Sequence, residues 1–260
     1  MTNRYRSPLL AINTNYMYQI AAKYYDLIHQ AHTGDIELFV QMAQAAEGQI
    51  LDIGCGSGRL VIPIAEAGQT VVGIDNSTDM FAVAQKRIVE DGVPAEHATL
   101  IEADVLTWQT EQRFGLIIIG MNTLMEFSNQ TVLDLLKAAA KLLAPGGQIV
   151  IDVIQPFIMA SLENADGELA KDEPLNDGGR KLPMWSGWSA DHTAQQVEIK
   201  WRIQDDGKQI DFSNLFHYRY LDQLMDYLPA AGVKIDAVWG DYARTAYNEE
   251  SERMIVILKK

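Results

Sequence analysis

The stretch Leu51–Leu60, LDIGCGSGRL, decides how the rest of the chain is read. A short apolar strand, Ile50 to Ile53, runs directly into Gly54, Gly56 and Gly58, and a helical pattern follows. Glycine lets a backbone turn sharply and approach a ligand where any Cβ would obstruct it. Asp52 stands two residues before the first glycine. A second apolar strand, Thr70 to Ile74, ends in Asp75, an acid suited to ribose hydroxyls. Strand, glycine turn, helix, strand and acid in this order describe a nucleoside pocket at the carboxyl end of a parallel sheet.

The kind of nucleoside depends on the spacing. A dinucleotide fingerprint, G-x-G-x-x-G, uses its third glycine for close helix–strand packing. Arg59 occupies that place here, which argues against NAD or FAD, although an acid about twenty residues downstream fits both readings. No Gly-Lys-Ser or Gly-Lys-Thr follows the cluster, so it is not a P-loop.

At these residues the chain resembles the class I S-adenosylmethionine (SAM)-dependent methyltransferases. LDIGCGSG looks like their first motif, and VVGIDNSTDM, Val71 to Met80, like their second. IEADVLTW, Ile101 to Trp108, is similar to the segment that carries an acid beside the adenine. LLAPGGQIVIDV, Leu142 to Val153, resembles the helix end, turn and fifth strand of that fold. The likeness is strong over residues 49–154 and loose elsewhere. It implies an α/β, Rossmann-like sheet of seven strands, mostly parallel with the last antiparallel, and SAM as cofactor with S-adenosylhomocysteine (SAH) as product. It also implies roles: Asp52, Gly54, Gly56 and Gly58 around the methionine part, Asp75 on the ribose hydroxyls, and Asn76 and Met80 beside ribose and adenine. Asp104 would accept from the adenine amino group, Val105 would lie near the ring, and Met121 would line the cofactor's other side.

Composition narrows the field. The 260 residues are 48% hydrophobic and 22% charged, ordinary for a globular chain with ample core material. No apolar run reaches the length of a membrane span, and the first residues lack the basic-then-apolar order of a signal peptide. A cytoplasmic address without a membrane partner is expected. Net charge is −14, and Lys and Arg form no cluster, so nucleic acid is a poor substrate. Cys55 is the single cysteine, which rules out an intrachain disulfide and any acceptor chemistry needing several thiols. It reads as a small space-filler in the glycine loop. No His and Cys cluster has zinc-ligand spacing, and no metal site is expected.

The chain divides into four parts: a helical lid at 1–48, the cofactor core at 49–154, a β insertion at 155–220, and a helix and strands completing the sheet at 221–260. The first dozen residues read as an arm, followed by a helix from Met17 to His32 and another from about Asp35. Pro63 should shorten the helix after the glycine loop, and Ser77 should cap the next. Residues 155–180 read as a mobile, polar excursion. Extended segments then follow, with a hairpin turn at Asp205, Asp206 and Gly207. A single helix is expected from Leu221 to Leu228.

A methyl acceptor would sit outside the carboxyl ends of the strands, under whatever covers that edge. The N-terminal segment carries Tyr16, Tyr18, Tyr24 and Tyr25. It resembles the Tyr-containing lid of small-molecule methyltransferases, including those acting on amines of glycine or aminosugars. Tyr25 is the preferred lid and acceptor-binding residue. The insertion adds Trp185, Trp188 and Tyr218 as acceptor contacts, and His217 joins Tyr25 as a candidate catalytic group. GMNTLMEF, Gly120 to Phe127, lacks the Asn-Pro-Pro-Tyr type sequence used on planar nitrogens. The reading is SAM-dependent methylation of a small molecule at nitrogen or oxygen, nitrogen preferred. Its rivals are a SAM-binding protein without transferase activity and a protein-modifying methyltransferase.

Overall fold

Apolar strands alternating with amphipathic helices must lie parallel, with helices on both faces. The computed structural model describes residues 14–30 and 32–260, with side chains from residue 22 onward, and has that architecture. Two helices, α1 (Thr14–His29) and α2 (Gly34–Ala45), lead into the alternating core. The core runs β1 (Gln49–Ile53), α3 (Val61–Glu66), β2 (Val71–Asp75), α4 (Thr78–Glu90), β3 (Ala98–Glu102), β4 (Phe114–Ile119), α5 (Val132–Leu142) and β5 (Leu143–Ile154). A short helix, α6 (Pro156–Ser161), opens the insertion, whose strands are β6 (Ala170–Asp177), β7 (Arg180–Asp191), β8 (Gln196–Asp205) and β9 (Lys208–His217). The chain ends with α7 (Leu221–Met225), α8 (Leu228–Ala231), β10 (Lys234–Trp239) and β11 (Arg253–Lys259).

The central sheet has the order β10-β11-β5-β4-β1-β2-β3. The last strand, β11, is antiparallel to both neighbours, β5 and β10, while β1 to β5 pair in parallel. Every residue of β4 is buried, as expected of a central strand covered on both faces. Leu51, Ile117 and Ile149 pack with Leu135 and Leu136 of α5 on one face. Ile50, Leu116 and Val150 pack with Phe39 of α2 and Ile64 of α3 on the other. Pro63 leaves α3 only six residues long, and Ser77 Oγ accepts from Met80 N at 3.3 Å as the cap of α4.

Several expectations need correction. The segment 155–180 is not without regular structure: it holds α6 and β6, the edge strand of a four-stranded antiparallel sheet, β6-β7-β8-β9. The sequence AKDEPLND hides β6 because an edge strand with mostly exposed side chains lacks an apolar alternation. The expected helix at Leu221–Leu228 is two short helices, with Pro229 at the start of the second. The hairpin turn stands as read, with Asp206 (φ 49°) and Gly207 (φ 75°) both left-handed between β8 and β9. The expected N-terminal arm lies outside the described residues, as do the side chains of Tyr16 and Tyr18.

Candidate active site

The site forms where β1 and β2 end. Gly54 (φ +71°) and Gly56 (φ +53°) are left-handed, and a Cβ on Gly54 would lie 2.6 Å from Thr123. Asp75 holds this turn in place: its Oδ2 accepts from Gly56 N at 2.8 Å and its Oδ1 from Ser77 N at 2.9 Å. A cavity opens here, with Gly54, Gly56, Asp75, Asn76 and Met80 on one side. Asp104, Val105, Met121 and Thr123 line the other. A smaller cavity continues over Asp52, Gly54, Ser57 and Arg59 to Met121. Gly58 differs from the other predicted positions, since it lines neither cavity. Its Cβ position is 3.4 Å from Ala84 Cβ, so it lets α4 pack closely against the loop.

Electrostatics at the floor follow from burial. Asp52 is 3% exposed, and desolvation pushes its carboxyl up to about 7; Arg59 opposes the shift, while Asp75 and Asp35 reinforce it. Burial also raises Asp75, against the backbone N–H groups of Ser77, Gly56 and Asn76. The Cys55 thiol is pushed well up by burial, as suits a packing residue rather than a nucleophile. Arg59 forms a bidentate pair with buried Asp35 and donates to His32 O at 3.1 Å, so it anchors the start of α2 to the loop. Asp104 Oδ1 accepts from Leu106 N at 2.9 Å.

The opposite wall is a turn that the sequence did not reveal. Met121 (φ 48°) and Asn122 (φ 69°) are consecutive left-handed residues just after β4. Such conformations persist only where the surroundings hold them. Met121 N donates to Asp152 Oδ2 at 3.3 Å, and Asn122 N to Asp152 O at 3.0 Å. Asn122 Oδ1 accepts from Ile154 N at 2.7 Å and Arg253 Nη2 at 3.2 Å.

A third cavity lies between this turn, α1 and the insertion. Ile28, Ile199, Trp201, Phe212 and Phe216 make its apolar wall; Tyr25, His29, Asn122, Glu126 and Asn214 are its polar groups. Tyr25 and Met121 line all three cavities and form the partition between them. Burial pushes the Tyr25 phenol up, so it stays neutral and is no phenolate base. His29, whose ring centre is 4.5 Å from that of Tyr25, is lowered to about 4 by burial, with His32 and Arg59 adding to the shift, and is therefore neutral at pH 7.

The insertion residues singled out from sequence lie elsewhere. Trp185 pairs with Arg202 across β7 and β8, whereas Trp201 pairs with Ser186, so strand alternation puts Trp185 on the face opposite Trp201. Trp188 packs against the main core and donates through Nε1 to Glu163 O at 2.8 Å. Tyr218 is 3% exposed, with its hydroxyl 3.1 Å from His192 Nδ1. His217 lines none of these cavities, and burial lowers it. Two signals could have found the residues that do line the third cavity. His29 follows Tyr25 by one helical turn, and Trp201 faces Phe212 in the hairpin that the Asp206–Gly207 turn fixes.

Helix α1 spans the mouth of the site. Asp26 accepts from Ser57 Oγ at 2.5 Å and pairs with Arg87 of α4 at 3.1 Å. On the insertion side, Asp205 accepts from Lys23 Nζ at 2.5 Å and from the hydroxyl of buried Tyr24 at 2.8 Å. Among the described residues, no group of three or more His, Cys, Asp or Glu is placed to hold a metal, and no helix is long and apolar enough to cross a membrane.

Sheet order, glycine turn and paired acids together define the class I SAM-dependent methyltransferase fold. Residues 50–147 match a family model described as a methyltransferase domain, and the chain is a SAM-dependent methyltransferase with this fold. It is 27% identical to the cypemycin N-terminal methyltransferase of a Streptomyces species, over 81% of this chain and 82% of that one. A SAM-dependent methyltransferase from Clostridium acetobutylicum superposes with a TM-score of 0.77 at 16% identity, covering 93% of this chain and 98% of the other. A sugar N-methyltransferase from a Streptoalloteichus species superposes with a TM-score of 0.67 at 17% identity, covering 91% and 93%.

Proposed function

We propose that this enzyme methylates nitrogen in a small amine held in the third cavity, with Tyr25 and Met121 separating acceptor from cofactor. One observation carries this reading: the aromatic-walled cavity meets both loop-side cavities at those two residues. SAM, when bound, supplies an activated methyl group. In this reading Asp75 takes the ribose hydroxyls, Asp104 and Val105 meet the adenine, Asn76 and Met80 flank it, and Asp52, Gly54 and Gly56 surround the methionine part. The insertion acts as the acceptor cap and α1 as the lid.

Nitrogen is favoured over oxygen by what lines the third cavity. It has one acid, Glu126, neutral His29, and neither Lys nor Arg among the described residues. An anionic phenolate or carboxylate has no cation to meet there among the described residues, whereas a neutral amine can donate an N–H to the Glu126 carboxylate and lay its apolar body on the aromatic faces. A neutral amine also carries its own lone pair. Positioning can supply roughly 7–11 kcal/mol of barrier lowering, against about 10²- to 10⁴-fold for a general base. Orientation and exclusion of water therefore suffice without a dedicated base. The names of similar proteins include both atoms, a sugar N-methyltransferase and ubiquinone biosynthesis O-methyltransferases, so the preference for nitrogen rests on the cavity lining.

The test is an acceptor panel of amino sugars, peptides with free N-termini, aryl-alkyl amines, phenols and carboxylates, followed by SAH release and product mass. Amines should turn over and gain one methyl on nitrogen. Turnover confined to phenols or carboxylates would reject the proposal.

A further inference from the structure

The wall of the third cavity leaves one polar atom unspent. Asn214 of β9 is 8% exposed and lines the cavity between Phe212 and Phe216 on the same strand face. Its Nδ2 donates to Glu126 Oε1 at 3.3 Å, while its Oδ1 has no hydrogen-bond partner among the described residues. The amide's orientation follows from chemistry: a carboxylate oxygen accepts, so the NH₂ group turns toward Glu126 and the carbonyl oxygen turns away. A buried acceptor without a donor is costly, and folded proteins retain few of them. The neighbouring wall, made by Ile199, Trp201, Phe212 and Phe216, offers Oδ1 little but hydrocarbon and aromatic surface.

We infer that Asn214 is a specificity-determining residue that receives an N–H of the acceptor on its Oδ1, selecting primary and secondary amines carried on an apolar body. This rests on the nitrogen reading above and adds the group that recognises the nitrogen. Glu126 fixes the amide, and Trp201, Phe212 and Phe216 receive the body. With one N–H held on Oδ1, the lone pair of the neutral amine remains free to form the new N–C bond as the C–S bond breaks. The electron pair of the broken bond stays on sulfur, and the methylated nitrogen then yields its surplus proton to solvent. A nitrogen without any N–H forfeits the contact.

Binding to the SAH-saturated protein, measured by calorimetry, tests this with two charge-matched probes, benzylammonium and benzyltrimethylammonium. Both can meet the aromatic wall, but only the first has N–H groups. The wild-type protein should bind benzylammonium at least about tenfold more tightly, the scale of one hydrogen bond to a charged group. In Asn214→Leu and Asn214→Ala, each checked for unchanged SAH affinity, that ratio should fall to within about threefold. Equal binding of the two probes by wild type overturns the inference, as does binding of neither, or a ratio preserved in both variants. Because turnover is not the readout, the two readings fail separately. Methylation of oxygen alone would end the nitrogen reading, and an unchanged ratio would end the role of Asn214.

Discussion

Arg253 and Asp152, on neighbouring antiparallel strands, form a buried ion pair with Nη2 and Oδ1 2.7 Å apart. The Asp152 side chain is wholly inaccessible and that of Arg253 is 8% exposed. The other carboxylate oxygen, Oδ2, takes Met121 N and the Tyr242 hydroxyl, each at 3.3 Å, while Arg253 reaches Asn122 Oδ1. The pair thus ties β5 and β11 to the left-handed turn that walls all three cavities. Each left-handed non-glycine residue costs of the order of 1–3 kcal/mol, and this network is what opposes that cost.

Asp152→Ala should therefore do two things at once. Removing one partner of a buried pair leaves the Arg253 charge uncompensated, at about 3–5 kcal/mol, which urea unfolding would register. The turn should also relax, weakening SAM binding in the fraction that remains folded. A loss of under about 1 kcal/mol, with SAM affinity intact, would show that the turn is held by something else.

Cofactor affinity should depend on pH through Asp52. Its carboxyl in the free protein is pushed up to about 7 by burial. A cationic sulfonium and ammonium beside it favour the ionised form, so SAM affinity should climb as pH rises toward about 7 and level off above. Asp52→Asn should flatten that dependence in calorimetric titrations. The same shift has a consequence for stability. A folded pKa raised above the unfolded value gives stability that is full below about pH 4 and is lost as pH rises through about 7. At about 1.4 kcal/mol per unit, the loss is about 4 kcal/mol. A ligand-free protein whose stability is identical for wild type and Asp52→Asn at pH 5 and pH 8 would contradict this.

Asp75→Ala should weaken SAM by roughly 10- to 150-fold, the value of losing a hydrogen bond to a charged acceptor. Asp75→Asn should not restore full affinity. Its amide has one acceptor oxygen, whereas the carboxylate receives Gly56 N and Ser77 N on separate oxygens. Calorimetry finding normal affinity in a folded Asp75→Ala protein would remove this residue from the ribose assignment.

The core was legible because glycines and acids mark its turns locally: Gly54, Gly56 and Asp75 lie where the strand ends placed them. The third cavity was not, since it is assembled from α1, the turn after β4 and two insertion strands. Trp185 and Trp188 stood out as aromatic, yet strand alternation turns Trp185 to the other face, and Trp188, on the face of Trp201, packs against the main core. Trp201, Phe212 and Phe216 read from sequence only as strand residues. The Met121–Asn122 strain had no local mark either, because Asp152 and Arg253 support it from distant parts of the chain.

Helix α1 should behave as a lid whose closure the cofactor completes. Among the described residues its polar tethers lie at its two sides, Asp26 to Ser57 and Arg87, and Lys23 and Tyr24 to Asp205, while Tyr24, Leu27 and Ile28 pack against the insertion. The Asp26–Arg87 pair is about one-third exposed on both sides, so it contributes no more than about 1 kcal/mol. Between the tethers, Tyr25 lines the cavities with only the His29 ring beside its own, and a bound ligand would add a second partner. Hydrogen exchange in residues 22–29 should accordingly slow when SAH binds, while β4 stays unchanged. Asp26→Ala should speed exchange in the same segment about fivefold without ligand, in keeping with a weak tether. Tyr25→Ala should lower turnover more than it lowers SAM affinity, because it breaches the partition while leaving Asp75 and the glycine turn in place. Equal protection of α1 with and without SAH would make Tyr25 a packing residue and end the lid assignment.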